Sequence, residues 1–343
     1  MKIRGLMFAA VMSAIGMSAA GAQEKLVIDS WGGKFPKSVT EFVAKKFKAE
    51  TGADIEFITG GTIDRLNKAK LMKARPESDI TFTTAHVGWL YVNDGLFEKL
   101  DLSKIPNAKN LFSTSKISDY HLAVYGYVYT IAYRTDLTPK GIEFTTWEDL
   151  WRPELKGMIS AADFDPSHVI SVAAHLAGAP AAHWEKGQDK LRALKPNFKA
   201  FFTNDANSIQ LFSSGETPVQ VLLSSNGYHM MKQGVPMKIV VPKEGAVLGI
   251  DTISITKGTK KADLAYKFIN IVLSPEVQKG WAESEKRSPA VSNVKLSDET
   301  AKLPGVMTTE EQWKTMTLPM DQKVRAEKLG EWRKWFTENM IAK

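Results

Sequence analysis

Cysteine is absent from all 343 residues. That removes disulfides, thiolate metal sites and cysteine nucleophiles together. It does not argue against export, because a chain this long buries enough core without covalent staples. Enzymatic frames are missing too. Gly32-Gly33 and Gly60-Gly61 are isolated pairs outside any GxxxxGKS/T or GxGxxG frame, and neither GxSxG nor HExxH occurs. The six histidines, at 86, 121, 168, 175, 183 and 229, never pair at a ligand spacing with a nearby carboxylate on one helix. No enzyme, cofactor or metal site is therefore expected. No basic run interleaved with aromatics supports nucleic-acid binding, and the surplus charge of +7 is spread over many lysines. Repeats and low-complexity linkers are also lacking.

What is present begins with MKIRGLMFAAVMSAIGMSAAGA. Lys2 and Arg4 precede an apolar centre from Leu6 to Met17, and Ala20-Gly21-Ala22 offers a small-residue cleavage site. This pattern predicts a secretory signal peptide over 1–22, its apolar run too short to favour a membrane anchor. No Cys follows it for lipidation. The mature chain, from about Gln23, carries +5 once Lys2 and Arg4 are gone, and its length suggests two domains.

Elements alternate from there. Lys25–Asp29 reads as a buried strand entering the loop Ser30-Trp31-Gly32-Gly33-Lys34, and Val39, Phe42, Val43 and Phe47 share a helical face that stops at Gly52. Asp54–Ile58 and Asp79–Thr83 read as strands, Asp64–Arg75 and Gly88–Asp94 as helices. This βαβαβ rhythm predicts an α/β fold with a mostly parallel sheet. Ala123–Arg134 is a long β run rich in tyrosine, and Thr145–Gly157 reads as a capped helix ending at a proline. Ile159–Val221 restarts the alternation as a second sheet. Ala262–Leu273 carries an apolar helical stripe, and Ser274-Pro275-Glu276 caps the next helix. Two sheets without a flexible linker predict lobes joined by extended strands that cross between them.

Candidate binding residues collect at strand ends, where open α/β sheets bind ligands. Trp31 follows the first strand and Ala85-His86 the third; the tryptophan either faces a ligand or packs on its own lobe, and His86 either contacts ligand or starts a helix. Tyr125, Tyr127, Tyr129 and Tyr133 alternate onto one face. Four buried hydroxyls on one face each need a partner, so some are expected to line a polar cavity, Tyr127 and Tyr129 first. Asp163 and Asp165 either cap the helix at His168 or meet a ligand. Ser225, Asn226 and Tyr228 follow the strand Val219–Leu223 as hydrogen-bonding candidates or as a turn. Asp251 is the residue out of place, a carboxylate inside the apolar strand Leu248–Ile255. Rings and carboxylates together suit an ammonium, held by aromatic faces and a charge-assisted hydrogen bond.

Ser213–Gly280 resembles the periplasmic polyamine-binding proteins, the spermidine/putrescine receptors of ABC importers. It shares their order of a Gly-Glu helix end, a strand, a helix closing on Gln-Gly, the PKEG segment and an Asp-bearing strand. Phe42–Ile55, Ile80–Asp101 and Thr145–Gly157 fit as well. The resemblance implies a two-lobe, type II-like periplasmic-binding fold with hinge crossovers, each lobe a mostly parallel sheet flanked by helices. Lobe one is expected over 23–133 plus 252–300 and lobe two over 134–251 plus 301–343. It further implies a periplasmic monomer that closes on a small amine and delivers it to a membrane permease. Asp251 falls on the acidic residue that grips an amino group, Trp31 on the aromatic first loop, and Tyr127 on the aromatic box. Asp163 or Asp165 lies near a second acidic position. The family's tryptophan ahead of the Asp is replaced by Gly249 and Ile250, which implies a pocket with fewer stacking walls than a spermidine site. An amino acid, γ-amino acid, opine or quaternary ammonium is the alternative ligand class. A ferric-ion receptor would need paired tyrosines in the second lobe, and a secreted hydrolase a catalytic pair. The C-terminal helix, with Leu329, Trp332 and Phe336 on one face, is expected to dock on lobe two.

Overall fold

Apolar residues spaced for helix and strand faces find their partners in the structure, a computed structural model that describes residues 24–342. The expected signal peptide lies outside the described residues. In β1 (Lys25–Ser30), Leu26 and Ile28 are fully buried against Val39, Val43 and Phe47. Those three lie four apart across α1 (Lys34–Val39), a π-helical turn at Thr40–Ala44 and α2 (Lys45–Thr51), one face of a continuous helical rod. Gly52 ends it at φ 74°, a left-handed cap that suits glycine. β2 (Asp54–Thr59), α3 (Thr62–Leu71), β3 (Ile80–Thr84) and α4 (Ala85–Asn93) follow.

Next comes β4 (Leu122–Arg134), buried along its whole length. The helix expected over Thr145–Gly157 is instead two 3-10 turns, Trp147–Trp151 and Pro153–Leu155. Its capping box from Thr146 and Asp149 is present. Pro153, however, forces Arg152 out of the helical region and breaks the run. Then follow β5 (Ile159–Ala162), α5 (Ser167–Leu176), α6 (Gln188–Leu194), β6 (Phe198–Phe202), α7 (Asp205–Ser213), β7 (Val219–Leu223) and α8 (Ser224–Lys232). The chain continues through β8 (Met237–Val240), β9 (Val247–Ile255), α9 (Ala262–Val272), α10 (Pro275–Glu285) and β10 (Ser288–Pro289). It closes with α11 (Asp298–Ala301), α12 (Glu310–Thr315) and α13 (Gln322–Phe336).

The sheet runs β2-β1-β3-β9-β4-β7-β5-β6, with β8 and β10 also on β4. β1 is parallel to β2 and β3, and β5 to β6 and β7, so each end is a parallel βαβ unit. The two ends are not separate sheets, as the sequence suggested. β4 and β9 pair antiparallel from Leu122 to Tyr129, and their outer neighbours change along their length. β9 meets β3 at Asp251–Ile255, and β4 meets β7 at Tyr129–Tyr133. Two long strands thus serve both ends and place Asp251 and the tyrosines where the two ends meet. Among the described residues no helix is long and apolar enough to cross a membrane.

Candidate functional site

Asp251 ends the β3 pairing opposite Thr84 and faces Tyr125 across β4. It is 6% exposed, and the Tyr127 hydroxyl donates to its Oδ1 at 3.0 Å. Burial pushes its carboxyl up to about 6, against the pull of a nearby guanidinium, that of Arg287. Arg287 Nη1 stands 3.7 Å from Asp251 Oδ2, while its Nε donates to Glu285 at 2.8 Å. The guanidinium lies 4.2 Å above the Tyr125 ring and 5.6 Å from that of Tyr127. The rings of Tyr125, Tyr127 and Tyr129 form a row with centroids 6.4 and 6.2 Å apart, while Tyr133 turns away to pack on Phe144. The Tyr125 hydroxyl is buried beside the Asp251 carboxylate and helps to hold its pKa down.

Gly249 explains how Tyr127 reaches Asp251. A Cβ at 249 would lie 2.0 Å from Tyr127 Cε2, so the ring fills the space above the glycine. The site is walled by Tyr127 where the family resemblance implied a missing tryptophan. Gly249→Ala is expected to cost about 1–3 kcal/mol by overpacking and to detach Tyr127 from Asp251. A urea melt and the ligand affinity of the variant check this.

A second polar cluster lies beyond Tyr129, whose ring stacks on His168 at 3.6 Å. Asp165 Oδ2 accepts from Arg325 Nη2 at 2.6 Å and stands 3.6 Å from His86 Nε2 and 3.8 Å from His168 Nε2. Its Oδ1 accepts from the Ser167 amide at 3.1 Å, the helix-start role that the sequence offered as one alternative. Although burial opposes it, Arg325 with the other neighbours holds the Asp165 carboxyl well below its usual range. Both histidines are lowered to about 3, by burial above all, with Arg325 adding to it. They are neutral at pH 7, so Arg325 alone balances the charge of Asp165.

The remaining candidates spread out. Trp31 donates to Thr62 Oγ1 at 2.8 Å and packs edge-on against Phe35, at the β1 end. Ala85 is buried, its carbonyl 3.2 Å from His121 Nε2. Burial raises the Asp163 carboxyl, with Arg333 of α13 opposing it, apart from the Asp251 group. Ser225 and Asn226 open α8, and the buried Asn226 amide faces the Asp205 carboxyl. Tyr228 is not with them: its hydroxyl donates to the Pro304 carbonyl at 2.5 Å, and its ring packs among Phe212, Leu222 and Ile239. That residue completes a core, because helix phase turns position 228 inward toward β7 and β8.

Sequence reasoning missed Arg287, Arg325 and Asp205. Asp205, at the start of α7, is open to solvent yet ringed by protein, which raises its carboxyl, with Asn226, Arg287 and Lys34 pulling the other way. Nothing in the local pattern marks Arg287, which follows Lys286 in a left-handed turn at φ 54° before the two-residue β10. Arg325 did carry a signal. It lies four residues before Leu329 and so shares the apolar stripe with Leu329, Trp332 and Phe336. That stripe does not rest on one end of the sheet: Leu329 packs with Val87 and Tyr91 of α4, while Arg325 reaches Asp165 beside α5. α13 therefore bridges the two ends of the molecule.

Comparisons with known proteins bear on the family and the fold. The family described as bacterial extracellular solute-binding protein matches residues 43–308. The spermidine/putrescine-binding periplasmic protein of Escherichia coli is 28% identical over 298 residues, 81% of each chain. The putrescine/cadaverine-binding protein of Pseudomonas aeruginosa is 28% identical over 282 residues, 75% of this chain and 77% of its own. A solved ABC transporter structure from Clostridium perfringens is 31% identical, with a TM-score of 0.79 over 92% of this chain and 99% of that one. The fold is the two-lobe, type II-like periplasmic-binding fold. The chain belongs to the bacterial extracellular solute-binding proteins, periplasmic receptors of ABC importers rather than enzymes.

Proposed function

We propose that this receptor closes on a small amine at Asp251 and delivers it to its membrane permease, acting as a monomer. The observation that carries the reading is the buried Asp251 carboxylate beside three tyrosine rings, with Glu285 and Asp205 close by. Acids outnumber cations here: Asp251, Glu285 and Asp205 face Arg287 and the more distant Lys34, so an added ammonium restores balance. The ring faces supply cation–π attraction worth about 2 kcal/mol when desolvated. Asp165 is already neutralised by Arg325, so in this reading it shapes the lobe interface without gripping ligand. The lobes in this reading are 23–133 plus 252–300 and 134–251 plus 301–343, a division supported by β9 meeting β3 from Asp251 onward. Hinge closure between them follows the periplasmic-binding pattern.

Thermal shift against a panel of diamines, amino acids and sugars tests the proposal. A diamine at a thousand times its Kd should stabilise by about 4 kcal/mol; stabilisation by a neutral or acidic solute alone defeats it. A second reading, a γ-amino acid, draws on the Arg287 guanidinium lying over the rings, where it would meet a carboxylate. Arg287→Gln separates the two by sign. Removing a like charge should tighten diamine binding by about tenfold, or about 1.4 kcal/mol, whereas a γ-amino acid should lose its carboxylate partner and bind more weakly. Calorimetry with putrescine and γ-aminobutyrate reads both.

A further inference from the structure

A cavity of small-ligand size stands apart from Asp251. It lies within lobe one, about 430 Å³ between α3, α4 and the strand ends near Asp29 and Thr256, within the roughly 300–1,000 Å³ of small-ligand sites. Two side chains lining it carry donors with no partner. Arg65 is 4% exposed; its Nη1 donates to Asp29 Oδ2 at 3.0 Å and to the Phe82 carbonyl at 2.9 Å, and its Nε to the Gly60 carbonyl at 3.1 Å. Its Nη2 is buried and unpaired. Tyr91 is 1% exposed, and its hydroxyl is buried and unpaired as well. Buried donors left unmade are costly, and two around one cavity mark where an acceptor belongs.

The rest of the lining says what kind of acceptor. Ala69, Met72 and Leu96 give it apolar wall. Asp29 is taken by Arg65, and Glu77 by Lys68 at 2.6 Å. That leaves the exposed Lys73 and Lys257 against Asp64 at the rim, a positive balance opposite in sign to the cleft. We propose that this cavity is a second ligand site, for a small monocarboxylate with an apolar body. Neither donor has exposed surface in the empty receptor, so the carboxylate meets Arg65 Nη2 and the Tyr91 hydroxyl by displacing the side chains over them, and the apolar body lies along Ala69, Met72 and Leu96. A diamine does not fit there, because both inner donors would face a cation. The site is independent of the amine cleft: Arg65 and Tyr91 are anchored on α3 and α4 of one lobe, so it needs no lobe closure.

Met72 gives a local probe. In full-length protein labelled with ¹³C-methyl methionine, the Met72 resonance is identified by Met72→Leu and titrated with benzoate and hexanoate. A saturable Met72 shift is expected, weakened at least tenfold in Tyr91→Phe and abolished in Ala69→Phe, which fills the cavity. Asp251→Ala should leave it unchanged. Tyr91→Phe removes an unpaired hydroxyl and should melt no lower than the parent, so its weaker binding is not a folding defect. The proposal is overturned if neither carboxylate shifts Met72, if Tyr91→Phe binds as tightly as the parent, or if sodium chloride at equal ionic strength gives the same shift.

Discussion

Asp251→Ala is expected to lower amine affinity by about 2–5 kcal/mol while the empty receptor still folds. The charge that contacts a bound ammonium is lost, yet no guanidinium is stranded, because Arg287 keeps Glu285 at 2.8 Å. Calorimetry of the folded variant checks the loss, and an unchanged Kd would remove Asp251 from the site. The same carboxylate sets a pH dependence. Its value in the empty receptor is about 6 against an ordinary 3.8, raised chiefly by burial. Only the ionised form attracts a cation, so affinity should be steady above pH 6 and fall roughly tenfold per unit below it. Near pH 6 amine binding should release a proton, visible as a dependence of the measured heat on the buffer's ionisation enthalpy. The stability of the empty protein runs the other way. A raised carboxyl makes the folded state bind more protons between pH 4 and 6. Its stabilising contribution is therefore complete below about 4 and is lost as pH rises through 6. An empty receptor that gains stability on mild acidification while its affinity declines is the paired signature. Asp251→Ala should abolish both trends.

That carboxylate was legible because strands are read residue by residue. An acid between Ile250 and Thr252 breaks an apolar run, and a buried charge implies a partner. The row of tyrosines on β4 was legible for the same reason, since period two puts alternate residues on one face. The partner itself was not. Arg287 reaches Asp251 only because α10 ends, one residue turns left-handed and two residues pair with β4 at Tyr125 and Gly126. A two-residue strand has no periodicity to detect. The topology was legible up to the crossing strands, whereas their fusion of two sheets into one depends on β4 and β9 exchanging neighbours midway. Tyr228 was misplaced because loop-like residues Ser224 to Gly227 begin a helix, and helix phase rather than strand-end position then decides its direction. Arg325 was readable in principle. Leu329, Trp332 and Phe336 form a stripe, and extending the same spacing one turn back lands on an arginine, the helical counterpart of the misfit at 251.

Arg325→Met is expected to be the most destabilising of these substitutions, by about 3–5 kcal/mol. Asp165 would remain buried, with its Oδ2 facing only two neutral histidines in place of a guanidinium at 2.6 Å. The cost comes from that abandoned carboxylate and not from the net worth of the pair, so a second substitution should return much of it. Asp165→Asn combined with Arg325→Met removes the buried charge, keeps an amide acceptor for the Ser167 backbone N–H, and fills the space of the arginine stem with an apolar chain. Chemical denaturation of the single and double variants gives the coupling directly. A double variant as unstable as Arg325→Met alone would mean that Arg325 acts by packing α13 and not by balancing Asp165. The pair also bears on function through α13. Leu329 holds that helix to α4 at one end of the sheet, while Arg325 holds it to Asp165 at the other. The ion pair thus fixes the spacing of the two ends, which the proposed hinge closure would change. A double variant that recovers stability but binds amine less tightly than the parent would assign the buried pair to setting closure. One that recovers both would assign closure to Asp251 and its ligand alone.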